Sequence, residues 1–294
     1  MKISVLVVLY NKRIGQSETL KSLSKLETNT FSLHIFNNGP KSLSNNEEED
    51  VLLNKFEKLN IKEDIQNRPL SKIYNDFIEE NESDTFLILD DDSKISKEII
   101  EISKNTNFDI DISLPIIISE DDKKNYYPII DGSTIESEET LEYKPGFFSI
   151  GSGLLIHKKL KSKFKQYSMK IFDERFALYG VDFSIFRRMN YLYNDGERFK
   201  INISGKILHS LSKVNENRDL MRNDERFIAI FLANIIYRKS ALKSYIFIVR
   251  QILSNIIKLD RKRVSLVFFL LANRSHPRSI GYISHKEPKV LSLK

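Results

Sequence analysis

Three consecutive aspartates, Asp90, Asp91 and Asp92, directly follow the apolar run FLIL at residues 86–89. Adjacent carboxylates repel one another, and burying them unpaired is costly. A strand end at a sheet edge is partly enclosed, so the cluster wants a cation. Mg²⁺ or Mn²⁺ fits, because hard divalent ions take carboxylate oxygens and keep positions for water and phosphate. In extended chain Asp90 and Asp92 point the same way and Asp91 the opposite way. Asp90 and Asp92 are therefore the expected metal pair, with Asp91 in support. The plain alternative is an exposed acidic turn before a helix capped by Ser96. Of the five histidines, His34 sits inside an apolar run and reads as structural. His209 ends a short strand at 206–208, where an imidazole can be a third ligand beside two carboxylates or simply a loop hydrogen-bonding group.

These residues need elements to position them. Residues 3–9 (ISVLVVL) are a continuous apolar run, the signature of a strand buried on both faces. Ser17 can cap a helix carrying Leu20, Leu23 and Leu26. A second strand, 31–36, stops at the turn Asn37-Asn38-Gly39-Pro40. The acidic stretch 45–50 leads into a helix with Val51, Leu52, Phe56 and Leu59 on one face, then a third strand near 61–65. Pro69 opens a helix through Glu80 with Ile73, Tyr74, Phe77 and Ile78 inward. A strand at 85–89 and another at 110–118 follow. This alternation over residues 1–118 predicts an open, mostly parallel α/β sheet. Right-handed crossovers put Tyr10-Asn11, Asn37-Asn38 and Asp90 to Asp92 on one sheet edge, where such sheets bind ligands. After Ser119 the segments are short and aromatic, and read as loops and small strands covering that edge.

Composition narrows the class. The 294 residues are 41% hydrophobic and 29% charged and contain no cysteine, which excludes a disordered chain, thiolate metal sites and cysteine nucleophiles. The N-terminus lacks the small-residue cleavage site of a signal peptide. The run at 264–272 is about half of what spans a bilayer. The net charge of +6 hides a split: residues 237–294 hold 13 Lys+Arg against two acids. That tail is also rich in Ile, Leu, Phe and Val, so an anionic membrane surface is its expected partner and nucleic acid is not. A basic helical pair packed on the body, or a homodimer, is the alternative. The series Phe227, Ile230, Phe231, Ile235 and Ile236 reads as core-facing.

The chain has no GxxxxGK[ST] loop, no GxGxxG after the first strand and no GxSxG elbow. What it does have, in order, is VVLYN at 7–11, Asn37-Asn38-Gly39, Asn67 and Asn75, LILDDD at 87–92, GSGLLI at 151–156, and FDERF at 172–176 followed by Asp182 and Arg188. This order resembles the family 2 glycosyltransferases. More narrowly, it is similar to bacterial rhamnosyl- and galactofuranosyl-transferase-like members that build O-antigen or capsule. The resemblance covers about residues 1–215 and implies an inverting enzyme of GT-A fold. It implies that Tyr10, Asn11 and Asn38 hold nucleotide base and ribose, and that Asp90 and Asp92 bind metal and donor diphosphate, with Asp91 near the donor sugar. It further implies that Gly151, Ser152 and Gly153 approach donor sugar and acceptor, that Asp182 is the general base, and that Arg188 orders nearby carboxylates on the donor side. His209 would complete the metal. The family usually shows a Glu-Asp pair at the base, where this chain reads Gly180-Val181-Asp182.

Sugar transfer needs a cation for the leaving diphosphate and a separate carboxylate for the acceptor proton, since a metal-bound acid is a poor base. Asp182 fits that second need, or is only an N-cap. The expected organisation is a catalytic domain, 1–223 (halves 1–118 and 119–223), and a basic helical region, 224–294. The expected activity is metal-dependent transfer from a UDP- or dTDP-linked sugar to a glycan or lipid-linked glycan, at the inner face of the cell membrane. A nucleotidyltransferase, or an inactive relative of the same fold, is the alternative.

Overall fold

The computed structural model describes residues 1–43, 52, 54–104, 109–209, 220–238 and 240–283. The acidic stretch 45–50, Val51 and the residues just after His209 lie outside these. In chain order the strands are β1 (Ile3–Leu9), β2 (Phe31–Asn37), β3 (Lys58–Glu63), β4 (Thr85–Asp90), β5 (Ser93–Lys94), β6 (Ile112–Ser119) and β7 (Asn125–Tyr127). They continue as β8 (Ile129–Ile130), β9 (Ser133–Thr134), β10 (Glu139–Glu142), β11 (Phe147–Phe148), β12 (Leu154–His157) and β13 (Lys200–His209). The helices are α1 (Glu18–Leu23), α2 (Leu70–Glu80), α3 (Lys97–Lys104), α4 (Lys158–Gln166), α5 (Val181–Asn194), α6 (Leu220–Tyr237), α7 (Ala241–Ile257) and α8 (Arg261–Asn273). A short 3₁₀ turn, Pro277–Ser279, follows.

The main sheet runs β10-β13-β6-β12-β4-β1-β2-β3. β1 is buried along its whole length because parallel neighbours, β2 and β4, flank it and helices cover both faces. Leu6 and Val8 pack toward α2 and α5, while Val5, Val7 and Leu9 pack toward α1 and α3. Ser17 caps α1 as its position predicts, its hydroxyl accepting from the Leu20 N–H. Leu59 belongs to β3 and not to a preceding helix, since β2 offers a parallel edge that pairs Leu33 with Leu59.

The segment after Ser119 does more than cover the edge. β12 lies in the middle of the sheet, antiparallel to both β4 and β6. Four residues are too few to show a period, so only pairing partners reveal this role. The strand ending at His209 is ten residues long and bulges between Ile203 and Lys206. Gly205 (φ 76°) stands in the bulge, where a Cβ would meet Ile99 and Ile102 of α3 at 2.8 and 2.9 Å.

On α6 the core-facing residues are Ile228, Phe231, Leu232, Ile235 and Ile236. Ile230 is not one of them: it is 58% exposed and faces the cleft described below. α8 sends Val267 and Leu270 into the same buried cluster as Phe231. The basic region thus shares the core of the body. Leu270→Ala is expected to lower stability by about 2–5 kcal/mol in urea unfolding. A loss below about 1 kcal/mol would place α8 outside the cooperative unit.

Candidate active site

The C-terminal ends of β1, β2 and β4 open into a cleft of about 640 Å³ whose far wall is the start of α5 and one face of α6. The aspartate turn forms its floor. Ser17 and Thr19, at the start of α1, hold that turn by its backbone: Ser17 Oγ donates to the Asp91 carbonyl (2.9 Å) and Thr19 Oγ1 to that of Asp90 (2.5 Å). Thr19 Oγ1 also accepts from the Ser93 N–H at 2.9 Å. Ser93 then pairs as β5 with His209 at the end of β13. That two-residue ladder brings an imidazole from residue 209 to carboxylates at 90 and 92.

Ligand atoms of Asp90, Asp92 and His209 all lie within 4.8 Å of one another. His209 Nδ1 is 3.4 Å from Asp92 Oδ1 and Nε2 is 3.9 Å from Asp90 Oδ2. The Asp92 Oδ1 atom is buried with no hydrogen-bond partner. Burial presses the His209 pKa down despite the nearby acids, keeping the ring neutral as a ligand requires. Ser93 Oγ, 3.0 Å from Nδ1, orients the ring, and Ser152 Oγ backs Ser93 at 2.5 Å. Asp90 is pushed well above the usual carboxylate range, first by desolvation and then by Asp92, Asp182 and Asp91, with Lys12 opposing. Its side chain is 37% exposed, but toward the enclosed cleft. Two carboxylates, a neutral imidazole and an unpaired buried oxygen fit Mn²⁺ or Mg²⁺. Asp91 turns aside, as alternation predicts, to Lys12 Nζ at 2.6 Å.

Asp182 lies in the cleft, inside the first turn of α5. The N-cap position belongs to Gly180 in left-handed conformation (φ 85°), so Asp182 is not a cap. Desolvation pushes its carboxyl up to about 6, moderated by the N–H groups of Gly151 and of Asp182 itself. A Cβ on Gly151 would stand 2.8 Å from Asp182 Oδ1, so only glycine permits this approach.

Of the other sequence candidates, Tyr10 and Asn38 line the cleft. Asn38 Nδ2 is fixed on the Arg68 carbonyl (2.9 Å), which leaves Oδ1 without a donor. Asn11 (φ 53°) ties its N–H to the Gly39 carbonyl and is not among the lining residues. Gly151, Ser152 and Gly153 stand behind the surface, Gly153 (φ 85°) packed against Pro115 and Ile207. Arg188 is fully buried below α5, bonded to the Lys170 carbonyl (2.7 Å) and 3.4 Å from Asp173, so it does not reach a donor. Its neighbour Arg187 is the arginine that enters the cleft.

Sequence reasoning gave no place in the cleft to several lining residues: Asn67, which it quoted only as part of the motif order, Tyr74, which it read as inward-facing, Tyr127 and Arg226. It also missed a clamp from the C-terminal region. Arg278 Nη1 donates to Asn67 Oδ1 (2.7 Å), Nη2 to Glu225 Oε1 (2.9 Å), and His276 Nε2 meets Glu225 Oε2 at 3.1 Å. Only the left-handed backbone of Asn67 (φ 56°) hints at a constrained position, and a sequence does not display it.

No protein-family profile matches the chain, and no curated protein matches its sequence. The sheet order, crossover helices and polar strand ends are those of the GT-A architecture. Solved structures share it. The crystal structure of S. aureus TarS 1-349 aligns with 94% of this chain and 93% of that one, at 14% identity and a TM-score of 0.53. TarS 1-349 in complex with UDP and in complex with UDP-GlcNAc aligns over the same shares with a TM-score of 0.53, at 13% and 12% identity. At such identity the likeness establishes the fold.

Two outcomes are expected. Calorimetry should find one Mn²⁺ site in the wild-type protein, weakened at least about tenfold in Asp92→Asn and His209→Ala; undiminished binding would reject the triad. In EDTA, Asp182→Asn should melt higher than wild type at pH 8 and equal to it at pH 4. The sign follows from a folded pKa of about 6 raised above the ordinary 3.8: stability is full below 3.8 and lost as pH rises through 6. The penalty removed is up to about 3 kcal/mol.

Proposed function

We propose that this protein is a metal-dependent inverting glycosyltransferase, moving a sugar from a nucleoside-diphosphate donor to a hydroxyl of a glycan or lipid-linked glycan of the bacterial envelope. The observation that carries the reading is one cleft holding a metal-type donor set, Asp90, Asp92 and His209, beside a separate half-buried acid, Asp182. The TarS complexes with UDP and UDP-GlcNAc, on the same fold, support a nucleotide-sugar donor.

Each end of the cleft then has a task. The donor lies on the half formed by residues 1–118, the acceptor on 119–223. Asn38 offers an acceptor to a base that donates an imide N–H, as uracil and thymine do, and Tyr10 offers a ring to stack on. Asp91, steered by Lys12, faces the donor sugar. When bound at Asp90, Asp92 and His209, Mn²⁺ or Mg²⁺ supplies the positive charge that a departing diphosphate requires. Asp182, with a pKa of about 6, is ionised at neutral pH and takes the acceptor hydroxyl proton. The acceptor oxygen bonds to the anomeric carbon from the side opposite the diphosphate, the glycosidic oxygen leaves with nucleoside diphosphate, and the configuration inverts.

Purified protein given UDP- and dTDP-linked sugars with Mn²⁺ should release nucleoside diphosphate; release of pyrophosphate would instead favour a nucleotidyltransferase. Asp182→Asn should cut turnover by about 10²–10⁴-fold. Wild-type turnover should fall on the acid side with an apparent pKa near 6. A variant retaining full turnover would remove Asp182 as base.

The outer face of α7 supports a membrane-associated setting. Leu242, Tyr245, Ile246, Leu253 and Ile257 are each more than half exposed, and Arg250 and Lys258 border a groove of about 550 Å³ among them. Among the described residues no helix is long and apolar enough to cross a membrane. Such a face suits the interfacial plane of an anionic bilayer. Anionic liposomes should co-sediment the protein at low salt, and Ile257→Asp should abolish it. A salt-insensitive dimer without liposome binding would assign the face to self-association.

A further inference from the structure

The cleft holds a guanidinium that the transfer chemistry above does not use. Arg187 lies on α5, five residues past Asp182, and lines the same cleft. Its guanidinium stands 5.5 Å from the ring centre of Tyr237 and 5.9 Å from that of Phe148. Among the described residues it makes no hydrogen bond and no ion pair. The nearest acid acting on it, Asp173, is already committed: Arg175 grips it through Nε (2.8 Å) and Nη2 (2.7 Å), and the Tyr237 hydroxyl donates to it at 2.5 Å. Burial presses the Arg187 pKa down, the mark of a charge held out of water.

Its place in the cleft separates it from the metal end. Its two ring neighbours, Phe148 of β11 and Tyr237 of α6, both come from the part of the chain after residue 118. Arg187 therefore stands on the side of the cleft assigned above to the acceptor. A planar donor fork held between rings is suited to an oxyanion.

We propose that Arg187 forms an anion subsite, and that the acceptor carries a phosphate or carboxylate close to the reacting hydroxyl. The acceptor assignment rests on the glycosyltransferase reading; the anion subsite is tested apart from it. In EDTA, where the bare carboxylates repel anions, full-length protein is titrated by NMR with glycerol 3-phosphate, glucuronate and neutral glycerol. At least one anion should bind wild type, more weakly as salt rises, and glycerol should not. Arg187→Met, which keeps the apolar stem, should weaken the anion at least about tenfold, with Arg187→Lys between. The preferred anion tells phosphate from carboxylate, and circular dichroism melts check that both variants fold. UDP with Mn²⁺, titrated by calorimetry on the same proteins, tests the donor reading separately. If wild type fails to bind UDP while the anion still discriminates, the donor reading falls and the subsite stands. Equal anion binding by wild type and Arg187→Met, no anion binding by wild type, or parallel loss of UDP affinity in Arg187→Met would overturn the proposal. The last result would give the guanidinium to the donor diphosphate.

Discussion

Mutual repulsion among four carboxylates in an enclosed cleft is the constraint on which the rest of the site depends. Asp92, Asp182 and Asp91 raise the proton affinity of Asp90, Asp92 raises that of Asp91, and Lys12 is a cation that acts directly on the cluster. Such a group persists only if the backbone beneath it is held rigidly and a cation can enter from above. The surrounding hydrogen bonds do the first. Ser17 and Thr19 take the turn's carbonyls, and the Ser152–Ser93–His209 series fixes the imidazole. An apolar lid over the turn would have been more stable and would have left nothing to bind a metal.

The same logic separates the two acids that the chemistry requires. Asp90 and Asp92 share an edge with an imidazole, whereas Asp182 stands on another element, opposed only by backbone donors. Distance along the chain is bridged by α2, which carries the approach to α5. Asn75 bonds both the N–H and the carbonyl of Phe172, and Ser71 donates to the Phe176 carbonyl. Asp182 is thus positioned by a helix that also packs under β1 and β4.

The basic C-terminal region is bound into this arrangement and not merely appended. Val267 and Leu270 enter the core, and Arg278 grips the loop that presents Asn67 to the cleft. Glu225 links that arginine and His276 to α6, which forms the cleft wall. The exposed apolar face of α7 and the cleft wall on α6 therefore belong to one packed body, so whatever fixes α7 also fixes the orientation of that wall.

Much of residues 1–118 was legible in the sequence because its signals are local. The apolar run of β1, the turn at Asn37 to Pro40 and the acids ending β4 each declare a strand end within ten residues. Parallel connectivity then forces those ends to one edge. What the sequence could not express was pairing at long range. β12 is too short to show a period, and its central place comes from β4 and β6. Helix phase misled at two points: Ile230 faces the cleft instead of the core, and Arg187 enters it while Arg188 is buried. A helix turns about 100° per residue, so one position decides which side a charge faces, and only the packing of α5 against its neighbours sets that phase. Sequence alone determined which groups could do chemistry and on which edge they gather. The tertiary structure decided which of them meet, because desolvation and charge act across space between residues far apart in the chain.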